Sequence, residues 1–491
     1  MTTTLLHLFF LLLLSVVLIF LDHTTTAQTA NSIVLSLTYS GPTDFPTTPD
    51  NISPLRRSRS SNNNNKYSPK KTPETPLKET PVGFTMSLPL GTPPQLIHNI
   101  YFDTGSDLVW VPCNMPTFNC IDCDEYRIDS SSFFRPNSSR SITRDSCSSP
   151  LCLSLHASVN YYDMCTIAHC PLSLLVSGGN KKCDAYPCPS FAYTYGEAVA
   201  TGILANDILG VVADKNNPKK ISFGCVGATR EEPSGVAGFG RGPLSLPSQL
   251  GFVNQGFSHC FLPFEYSGNP NISTPLILGD PTTSSDSDHN LQFTTMLKNN
   301  PTNHTDLYYI GLEAITVGDL PPIQAPRNLK EFDPSGNGGM MIDSGTTYTH
   351  LPEPLYSQFL SDLESLIHYP RDNDMEEWTV FDLCYSIPTN TTNSTGIPSI
   401  TLHFSNDVSL TLPQGTCFYK MAPPEGSAQT NCLLFQKMDI GAQGDDYGPA
   451  GVFGSFQQQN VEVVYDLKND RIGFQPADCV SQAKYHGLHK T

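Results

Sequence analysis

The sequence predicts a mostly β protein with two lobes, and three observations lead to this fold class. Short runs that alternate apolar and polar residues recur along the chain, and 41 Pro and 35 Gly residues punctuate them. The length of 491 residues exceeds that of one ordinary domain, so two lobes are expected. A motif centred on an Asp occurs twice, 240 residues apart, which indicates a duplicated unit.

The first predicted strand pair leads to the first Asp. Residues 84–90 alternate, residues 91–94 predict a turn, and residues 96–102 continue as a strand that ends at Asp103. Further strands are predicted from the alternating runs at 191–195, 221–225, 308–317, 400–404 and 461–467. Helical periodicity is rare. Its best example is 354–368, where apolar residues recur at a spacing of four (Leu355, Phe359, Leu363 and Ile367).

Each Asp motif follows a run of bulky apolar residues. The first motif is Asp103-Thr104-Gly105-Ser106, and the second is Asp343-Ser344-Gly345-Thr346. An apolar run that stops at such a Gly is typical of a buried strand followed by a tight turn. Both carboxylates are therefore predicted at the ends of core strands. For one motif alone, a turn with a satisfied carboxylate is an alternative interpretation.

A second pair of motifs supports the duplication. Residues 235–240 (Gly-Val-Ala-Gly-Phe-Gly) follow the first Asp, and residues 450–455 (Ala-Gly-Val-Phe-Gly-Ser) follow the second. The four motifs in this order resemble the pepsin-like aspartic proteases, in which two β lobes each donate one Asp. Residues 103–110, the second Asp motif and the cysteine-rich segment 113–188 are most similar to the plant nepenthesin-like, or atypical, branch. The resemblance covers roughly residues 82–479.

This resemblance implies a bilobal pepsin-like fold with an active-site cleft between the lobes, and a secreted acid endopeptidase as the function. Two carboxylates in contact cannot both ionise, so they share one proton. Such a pair supplies a base for an attacking water molecule and an acid for the carbonyl oxygen of the peptide. Asp103 and Asp343 are the predicted dyad, and no cofactor or metal is expected.

The residues that flank the dyad have predicted supporting roles. Ser106 and Thr346 are expected to hydrogen-bond the outer carboxylate oxygens. Gly105 and Gly345 are expected to leave room for backbone N–H groups. The resemblance implies that Thr104 and Ser344 brace the two loops against each other.

Residues 193–198 resemble the flap of this family, a hairpin that closes over the substrate. The resemblance implies that Tyr195 is the flap tyrosine and that Trp110 holds its hydroxyl group. Ordinary core packing is the alternative for both side chains. The nepenthesin-like pattern is Tyr-Gly-Asp-Gly, whereas this chain has Tyr195-Gly196-Glu197-Ala198. The missing glycine restricts the backbone at the flap tip.

The N-terminal region is predicted to be processed. Residues 1–27 are interpreted as a signal peptide because 5–21 are almost purely apolar, and an uncleaved signal anchor is the alternative. Residues 28–80 carry seven basic and four acidic side chains, a net charge of +3. The resemblance implies a removable prosegment here, and the composition also fits a disordered linker. The N-terminal lobe is assigned to 81–300 and the C-terminal lobe to 301–491.

Nine of the 15 cysteines lie between Cys113 and Cys188. An insertion held by disulfides is expected there, and a zinc site is the weaker alternative because a secretory compartment oxidises thiols. Six further cysteines follow: Cys225 and Cys260 in the N-terminal lobe, and Cys384, Cys417, Cys432 and Cys479 in the C-terminal lobe. If the lobes are not cross-linked, the unpaired cysteine belongs to the N-terminal lobe.

The net charge and the modification signals limit which partners and which location the protein can have. A net charge of −18 argues against nucleic-acid binding. Protein or peptide substrates are expected, with a monomeric protein and no membrane span after signal cleavage. The cysteines and the glycosylation sequons favour secretion to the apoplast or cell wall, with the vacuole as an alternative. The sequons are at Asn51, Asn137, Asn271, Asn303, Asn390 and Asn393.

The second hypothesis is a catalytically inactive pepsin-fold protein that binds or inhibits another protein, as plant inhibitors of cell-wall xylanases do. Relatives that only bind typically lose an Asp or its flanking residues. Both Asp motifs are complete here, which favours the enzyme. The changed flap is the one feature that favours the binding protein.

Overall fold

The computed structural model describes most of the chain from residue 83 onward and one short segment before it. The described residues are 32–40, 83–123, 133–157, 161–171, 174, 183–195, 198–210, 218–269, 271–279, 290–298, 306–379, 381–387, 396–421, 430–438 and 448–489. The predicted signal peptide and most of segment 28–80 lie outside these residues.

Strands dominate the described residues. The first thirteen are β1 Ile33–Ser40, β2 Gly83–Leu90, β3 Gln95–Asp103, β4 Trp110–Pro112, β5 Asn119–Ile121, β6 Thr143–Arg144, β7 Phe191–Tyr195, β8 Ala198–Ile208, β9 Lys220–Arg230, β10 Val236–Gly238, β11 Phe257–Cys260, β12 Thr274–Leu278 and β13 Gln292–Thr295. The others are β14 Tyr309–Ile310, β15 Leu312–Val317, β16 Ile323–Gln324, β17 Met340–Ile342, β18 Thr349–Leu351, β19 Cys384–Ser386, β20 Ile400–Phe404, β21 Val408–Thr411, β22 Phe418–Met421, β23 Thr430–Leu433, β24 Phe435–Lys437, β25 Gly451–Phe453, β26 Val461–Asp466 and β27 Arg471–Pro476.

The helices among the described residues are short. They are α1 Pro150–Leu155, α2 Tyr161–Ile167, α3 Leu246–Leu250, α4 Arg327–Lys330, α5 Leu355–Leu366, α6 Asn373–Trp378, α7 Gln414–Cys417 and α8 Cys479–Tyr485, with 3₁₀ turns at Pro136–Ser138 and Phe264–Tyr266. The predicted helix at 354–368 is α5, and Leu355, Phe359 and Leu363 are buried on its inner face. In the described residues, no helix has the length and apolarity that a membrane span needs.

The mostly β, bilobal fold class is confirmed, and β2, β3, β7, β9, β15, β20 and β26 fall on predicted alternating runs. One large sheet runs through the described structure, in the order β13-β27-β26-β11-β12-β1-β2-β3-β10-β4-β9-β8-β6. Strands β26 and β27 come from the C-terminal half, and they pair with β11 and β13 from the N-terminal half. The sheet therefore joins the two lobes.

Strand β1 belongs to segment 28–80, for which composition fitted a prosegment or a disordered linker. Residues 33–40 differ from the linker expectation because they fill a gap in the large sheet. Leu35 and Leu37 are buried, and β1 pairs with β12 through residues 33–37 and with β2 through residues 38–40. Tyr39 packs edge-on against Phe84 and Phe264, each with ring centres 5.2 Å apart. The strand is thus part of the sheet that carries the first Asp.

The cysteine-rich insertion is held by disulfides, as expected. The pairs are Cys113–Cys225, Cys120–Cys123, Cys147–Cys165, Cys152–Cys188 and Cys170–Cys183. In the C-terminal lobe, Cys384 pairs with Cys432.

The condition on which the unpaired cysteine was assigned to the N-terminal lobe is not met. The lobes are cross-linked, because Cys260 and Cys479 form a disulfide across a sequence separation of 219 residues. The odd cysteine is Cys417, which is buried in the C-terminal lobe. The cross-link arises because β11, which ends at Cys260, pairs with β26, and α8 packs near β12.

His259 is a buried histidine in the middle of the joining sheet. It is 1% exposed, and neither ring nitrogen has a hydrogen-bond partner among the residues that the structure describes. Its ring stacks on Phe261 at 4.0 Å and meets the edge of Phe102 at 5.5 Å. Burial lowers the pKa of His259 from 6.5 to about 3, because the charged imidazolium cannot be solvated there.

We predict that His259→Leu gains stability relative to wild type as pH falls. The unfolded chain binds a proton at His259 below its ordinary pKa of 6.5, whereas the folded chain does not until about pH 3. Wild type therefore loses about 3 kcal/mol of unfolding free energy at this site between pH 7 and pH 4. Chemical unfolding of both proteins at the two pH values measures the difference.

The matched control is His98→Leu, since His98 is exposed on β3 and its ring bonds the Ser87 hydroxyl. This control is expected to change stability equally at both pH values. An equal effect of His259→Leu at pH 4 and pH 7 would show that His259 does not titrate as its burial requires.

Candidate active site

Two equivalent arrangements of three strands position the two Asp residues. In the first, β3 runs parallel to β10 and Val236 of β10 pairs with Trp110 of β4. In the second, β17 runs parallel to β25 and Val452 of β25 pairs with His350 of β18. The motifs at 235–240 and 450–455 thus supply the strands that flank the two Asp strands. This explains why the sequence repeats both motifs together.

Close packing of the crossing strands requires glycine in these two motifs. A Cβ atom on Gly238 would stand 2.3 Å from the backbone of Asp107, and one on Gly454 would stand 2.4 Å from the backbone of Tyr348. Both contacts are too short for any side chain. The paired glycines therefore let the flanking strand run directly beneath the loop that follows each Asp.

Each carboxylate is held by the loop that follows it. The backbone N–H of Gly105 donates to Oδ1 of Asp103 at 2.8 Å, and that of Gly345 donates to Oδ1 of Asp343 at 2.8 Å. The hydroxyl of Ser106 donates to Oδ2 of Asp103. The loops thereby place both carboxylates in the same orientation relative to their strands.

The hydroxyl of Thr346 completes the second loop, because it donates to Oδ2 of Asp343 at 2.5 Å. Ser106 and Thr346 thus make equivalent bonds, and the structure brings both to the positions that the sequence predicted. Asp343 is buried, with 7% of its surface exposed, and Asp103 is half-buried. Both carboxylates are therefore partly shielded from solvent.

The two carboxylates are in contact across the lobes. A Cβ atom on Gly105 would stand 2.5 Å from Oδ1 of Asp343, and one on Gly345 would stand 2.5 Å from Oδ1 of Asp103. As the sequence predicts, these glycines leave room for backbone N–H groups. They also make room for the carboxylate of the opposite lobe.

Thr104 and Ser344 hold the two loops together through four hydrogen bonds. The Ser344 hydroxyl accepts from the N–H of Thr104 at 3.0 Å and donates to the Phe102 carbonyl at 2.9 Å. The Thr104 hydroxyl accepts from the N–H of Ser344 at 2.9 Å and donates to the Ile342 carbonyl at 3.1 Å. Both side chains are fully or almost fully buried, so these bonds are shielded from water.

The protonated form of Asp103 is favoured. Burial raises the pKa of Asp103 first, and the neighbouring Asp343 carboxylate raises it further. The bonds from Ser106 and Gly105 oppose this shift but do not cancel it. The pair can therefore hold one proton between two carboxylates, which is the state that acid–base chemistry on a water molecule requires.

The flap prediction is only partly covered by the described residues. Strands β7 and β8 form a hairpin in which Tyr195 pairs with Ala198, so the predicted hairpin is present. Gly196, Glu197 and the side chain of Tyr195 lie outside the described residues. Trp110 is buried in a cluster with Phe191 and Leu108, against which Tyr193 packs.

Sequence reasoning missed two residues near the dyad. Tyr193 of β7 contacts the loop after the dyad, because its hydroxyl accepts from the N–H groups of Asp107 and Leu108, and burial raises its pKa to about 12. Glu232 is 5% exposed, and the charge of Asp103 contributes to a raised pKa of its carboxyl group. Glu232 lies three residues before the motif at 235–240, so its proximity to a strand that flanks the dyad could have been inferred.

A fourth acid, Asp107, lies at the edge of the site. The N–H of Gly242 donates to Oδ1 of Asp107 at 3.0 Å. Burial, together with the carboxylate of Asp306, raises the pKa of Asp107 to about 7. The sequence predicts no role for Asp107 beyond its place in residues 103–110.

Two predicted glycosylation sites lie on the described surface. Asn137 is exposed in the 3₁₀ turn Pro136–Ser138, and Asn271 is exposed before β12. The sequons at Asn51, Asn303, Asn390 and Asn393 lie outside the described residues.

Comparisons with known proteins cover most of the chain. Two family profiles, described as xylanase inhibitor N-terminal and xylanase inhibitor C-terminal, match residues 84–280 and 307–476. A probable aspartyl protease of Arabidopsis thaliana is 34% identical, over 81% of this chain and 82% of its own length. The aspartic proteinase nepenthesin-1 of Nepenthes gracilis is 31% identical, over 81% of this chain and 78% of its own.

Solved structures show the same fold at low identity. The basic 7S globulin from soybean has a TM-score of 0.56 and 18% identity, and it covers 92% of this chain and 99% of its own. Conglutin gamma, a basic 7S globulin from lupine seeds, has a TM-score of 0.57 and 17% identity, covering 93% and 99%. At this identity, the likeness concerns the fold alone.

We predict that Thr104→Val destabilises the protein by roughly 1–3 kcal/mol, because the buried N–H of Ser344 loses its acceptor. Thr104→Ser keeps the hydroxyl group and is expected to cost less. Thr201→Val is the matched surface control, since the Thr201 hydroxyl bonds the Ala228 carbonyl at an exposed position. Chemical unfolding measures all three variants. Equal costs for Thr104→Val and Thr104→Ser would rule out a contribution from this hydroxyl.

Proposed function

Because this chain belongs to the plant pepsin-like aspartic protease family, we propose that it is an acid endopeptidase whose dyad is Asp103 and Asp343. The observation that carries this proposal is the contact of the two carboxylates, each held by its own glycine N–H and hydroxyl group. A chain that kept the fold for binding alone has no need of two acids in contact at the floor of a cleft.

In the proposed reaction, the ionised carboxyl removes a proton from a water molecule as its oxygen attacks the carbonyl carbon of the peptide. The protonated carboxyl gives its proton to the carbonyl oxygen, which forms a tetrahedral diol. The carboxyl that took the proton from water then gives it to the amide nitrogen, and the carbon–nitrogen bond breaks. As it breaks, one hydroxyl of the diol returns its proton to the other carboxylate, so the amine and the carboxylic acid leave and the dyad again holds one proton. Because the proton is shared, either Asp can be written as the acid. Ser106 and Thr346 position the oxygens that do not carry it.

The proposed reaction needs one ionised and one protonated carboxyl group. Burial and the charge of Asp343 raise the pKa of Asp103, so this group keeps its proton over a wider pH range than an ordinary Asp. Activity should rise as the first carboxyl ionises in acid. It should fall at higher pH, when the shared proton is lost.

The proposed substrates are proteins or peptides, and the proposed location is outside the cell. The named relatives are aspartic proteases, which supports protein substrates. Seven disulfides among the described residues support an oxidising compartment. We propose a secreted monomer in the apoplast or cell wall, with the vacuole as an alternative, whose segment 28–80 acts as a prosegment.

A binding or inhibitor protein is the second candidate. The matching family profiles carry the description of a xylanase inhibitor, and residues 197–198 of the flap depart from the nepenthesin-like pattern. Such a protein needs the cleft or the surrounding surface but not the shared proton. The two candidates therefore differ in whether loss of one carboxyl abolishes the function.

We predict that the wild-type protein cleaves a denatured protein substrate in acid. Asp103→Asn and Asp343→Asn should each lower the cleavage rate by at least about 100-fold, because this is the usual contribution of a general acid or base. Initial rates across pH 2 to 7, with and without pepstatin, measure the effect. The assay uses the full chain and a form cleaved after residue 80.

Asp122→Asn is the control, because Asp122 lies on the surface, where it pairs with Arg230. This variant should keep the wild-type rate. Absence of cleavage by either wild-type form, with the fold shown intact by circular dichroism, would exclude the protease. Retained cleavage in Asp103→Asn would exclude the dyad.

A further inference from the structure

Glu232 lies between the base of the flap and the dyad. Strand β9 ends at Arg230, which pairs with Val199 of the flap strand β8. Strand β10 begins at Val236, which pairs with Tyr101, and two residues later Gly238 pairs with Asp103. Residues 231–235 connect these two points and therefore form part of the wall beside Asp103.

The carboxyl group of Glu232 is buried in this wall. Glu232 is 5% exposed, and the N–H of Ser234 donates to its Oε1 at 2.9 Å. The neighbours Pro233, Ser234 and Gly235 are also buried. Gly235 is fixed against β4, because a Cβ atom there would stand 2.5 Å from the Trp110 carbonyl. The side chain is thus enclosed by backbone that has little freedom to move.

The charges on the surrounding elements do not compensate a negative charge at this position. From the dyad strand, the Asp103 carboxylate repels it. At the end of β9, Arg230 donates to Asp122 at 2.9 Å and lies 3.4 Å from Glu231, both at the surface. On β7, Tyr193 has a pKa raised to about 12, so it stays neutral. In the described part of the chain, no cation pairs with Glu232.

These surroundings favour the neutral carboxylic acid. Burial raises the pKa of Glu232 from 4.5 to about 8, and Asp103 adds to the shift, while the N–H of Ser234 opposes it. Glu232 is therefore protonated throughout the acidic range in which the dyad is proposed to work. Above neutral pH, its ionisation would place two negative charges in one buried wall.

We propose that Glu232 is a positioning residue of this site. Its carboxyl group stays protonated while the dyad works. Loss of this proton destabilises the wall beside Asp103 and so sets an upper limit to the pH range in which the folded protein is stable. The link to catalysis rests on the proposed function, whereas the effect on stability does not. Coupling between two titrating groups is reciprocal, so an ionised Glu232 also disfavours the ionisation of Asp103.

The sign of the effect on stability follows from the raised pKa. The unfolded chain loses the Glu232 proton near its ordinary pKa of 4.5, whereas the folded chain keeps it until about pH 8. Stability from this group is complete below pH 4.5 and is lost progressively as pH rises toward 8. A side chain that cannot ionise removes this loss.

The test compares Glu232→Gln with Glu231→Gln by thermal unfolding of the full chain from pH 4 to pH 9. Gln keeps an acceptor for the N–H of Ser234. We expect the difference in melting temperature between Glu232→Gln and wild type to increase by several degrees, in favour of the variant, between pH 4 and pH 8. Glu231→Gln, which alters the adjacent half-exposed carboxyl, should follow wild type. Glu232→Asp restores an ionisable group and should restore the loss of stability at high pH.

A second variant and a double variant separate a titrating role from simple packing. Glu232→Met cannot ionise and should behave like Glu232→Gln. In an Asp103→Asn background, the gain from Glu232→Gln at pH 8 should be smaller, because the repelling charge is gone. A gain that is the same at pH 4 and pH 8, no gain at all, or failure of both Gln and Met variants to fold at pH 4 would overturn the proposal.

Activity gives an independent readout. The fraction of proteolytic activity that survives incubation at pH 8, relative to incubation at pH 4, should be higher in Glu232→Gln than in wild type and in Glu231→Gln. An equal fraction in all three proteins would overturn the proposed limit on activity. If wild type shows no proteolysis under any condition, the proposed function fails, and the unfolding experiment still decides the role of Glu232.

Discussion

The contact between Asp103 and Asp343 is the constraint on which the rest of the site depends. Each carboxylate fits only because the opposite lobe has a glycine where a Cβ atom would collide with it. Each lobe therefore supplies one carboxylate and also the glycine that makes room for the carboxylate of the other lobe. The hydroxyls of Thr104 and Ser344 fix the separation of the two loops, since each bonds the backbone of the opposite loop. The sheet that joins β11 to β26 keeps the lobes from separating.

Buried ionisable groups limit the pH range of this structure from both sides. The carboxyls of Asp103, Asp107 and Glu232 have raised pKa values because they are buried close to other carboxylates, so they are most easily accommodated in acid. His259 has the opposite preference, because burial without a partner favours its neutral form. His259 therefore lowers the stability of the folded chain progressively as pH falls from 6.5 to about 3. An overall charge of −18 is likewise partly neutralised in acid.

Disulfides form much of the buried core of the cysteine-rich insertion. In the insertion, the paired sulfurs of Cys147, Cys152, Cys165 and Cys188 themselves form much of a small core with Met164 and Leu204. Spacing in the sequence indicated a disulfide scaffold but left the pairing open, because each cysteine had several partners within reach. The bond between Cys260 and Cys479 shows why: its partners are brought together by strand pairing, not by proximity along the chain.

By itself, the sequence determined the strands that carry the dyad, the duplicated Asp and glycine motifs, the helix at 354–368 and the existence of a disulfide scaffold. These features depend on local periodicity and on residue types that a tight turn requires, so they can be recognised without neighbours in space. The tertiary structure decided what lies beside the dyad. Glu232 lies near the dyad because β10 pairs with the distant strand β3, and Tyr193 contacts the backbone of Asp107 and Leu108. Strand β1 joins the sheet from a segment whose composition fitted a linker. Such contacts depend on the register of distant strands and on burial, which no local pattern contains.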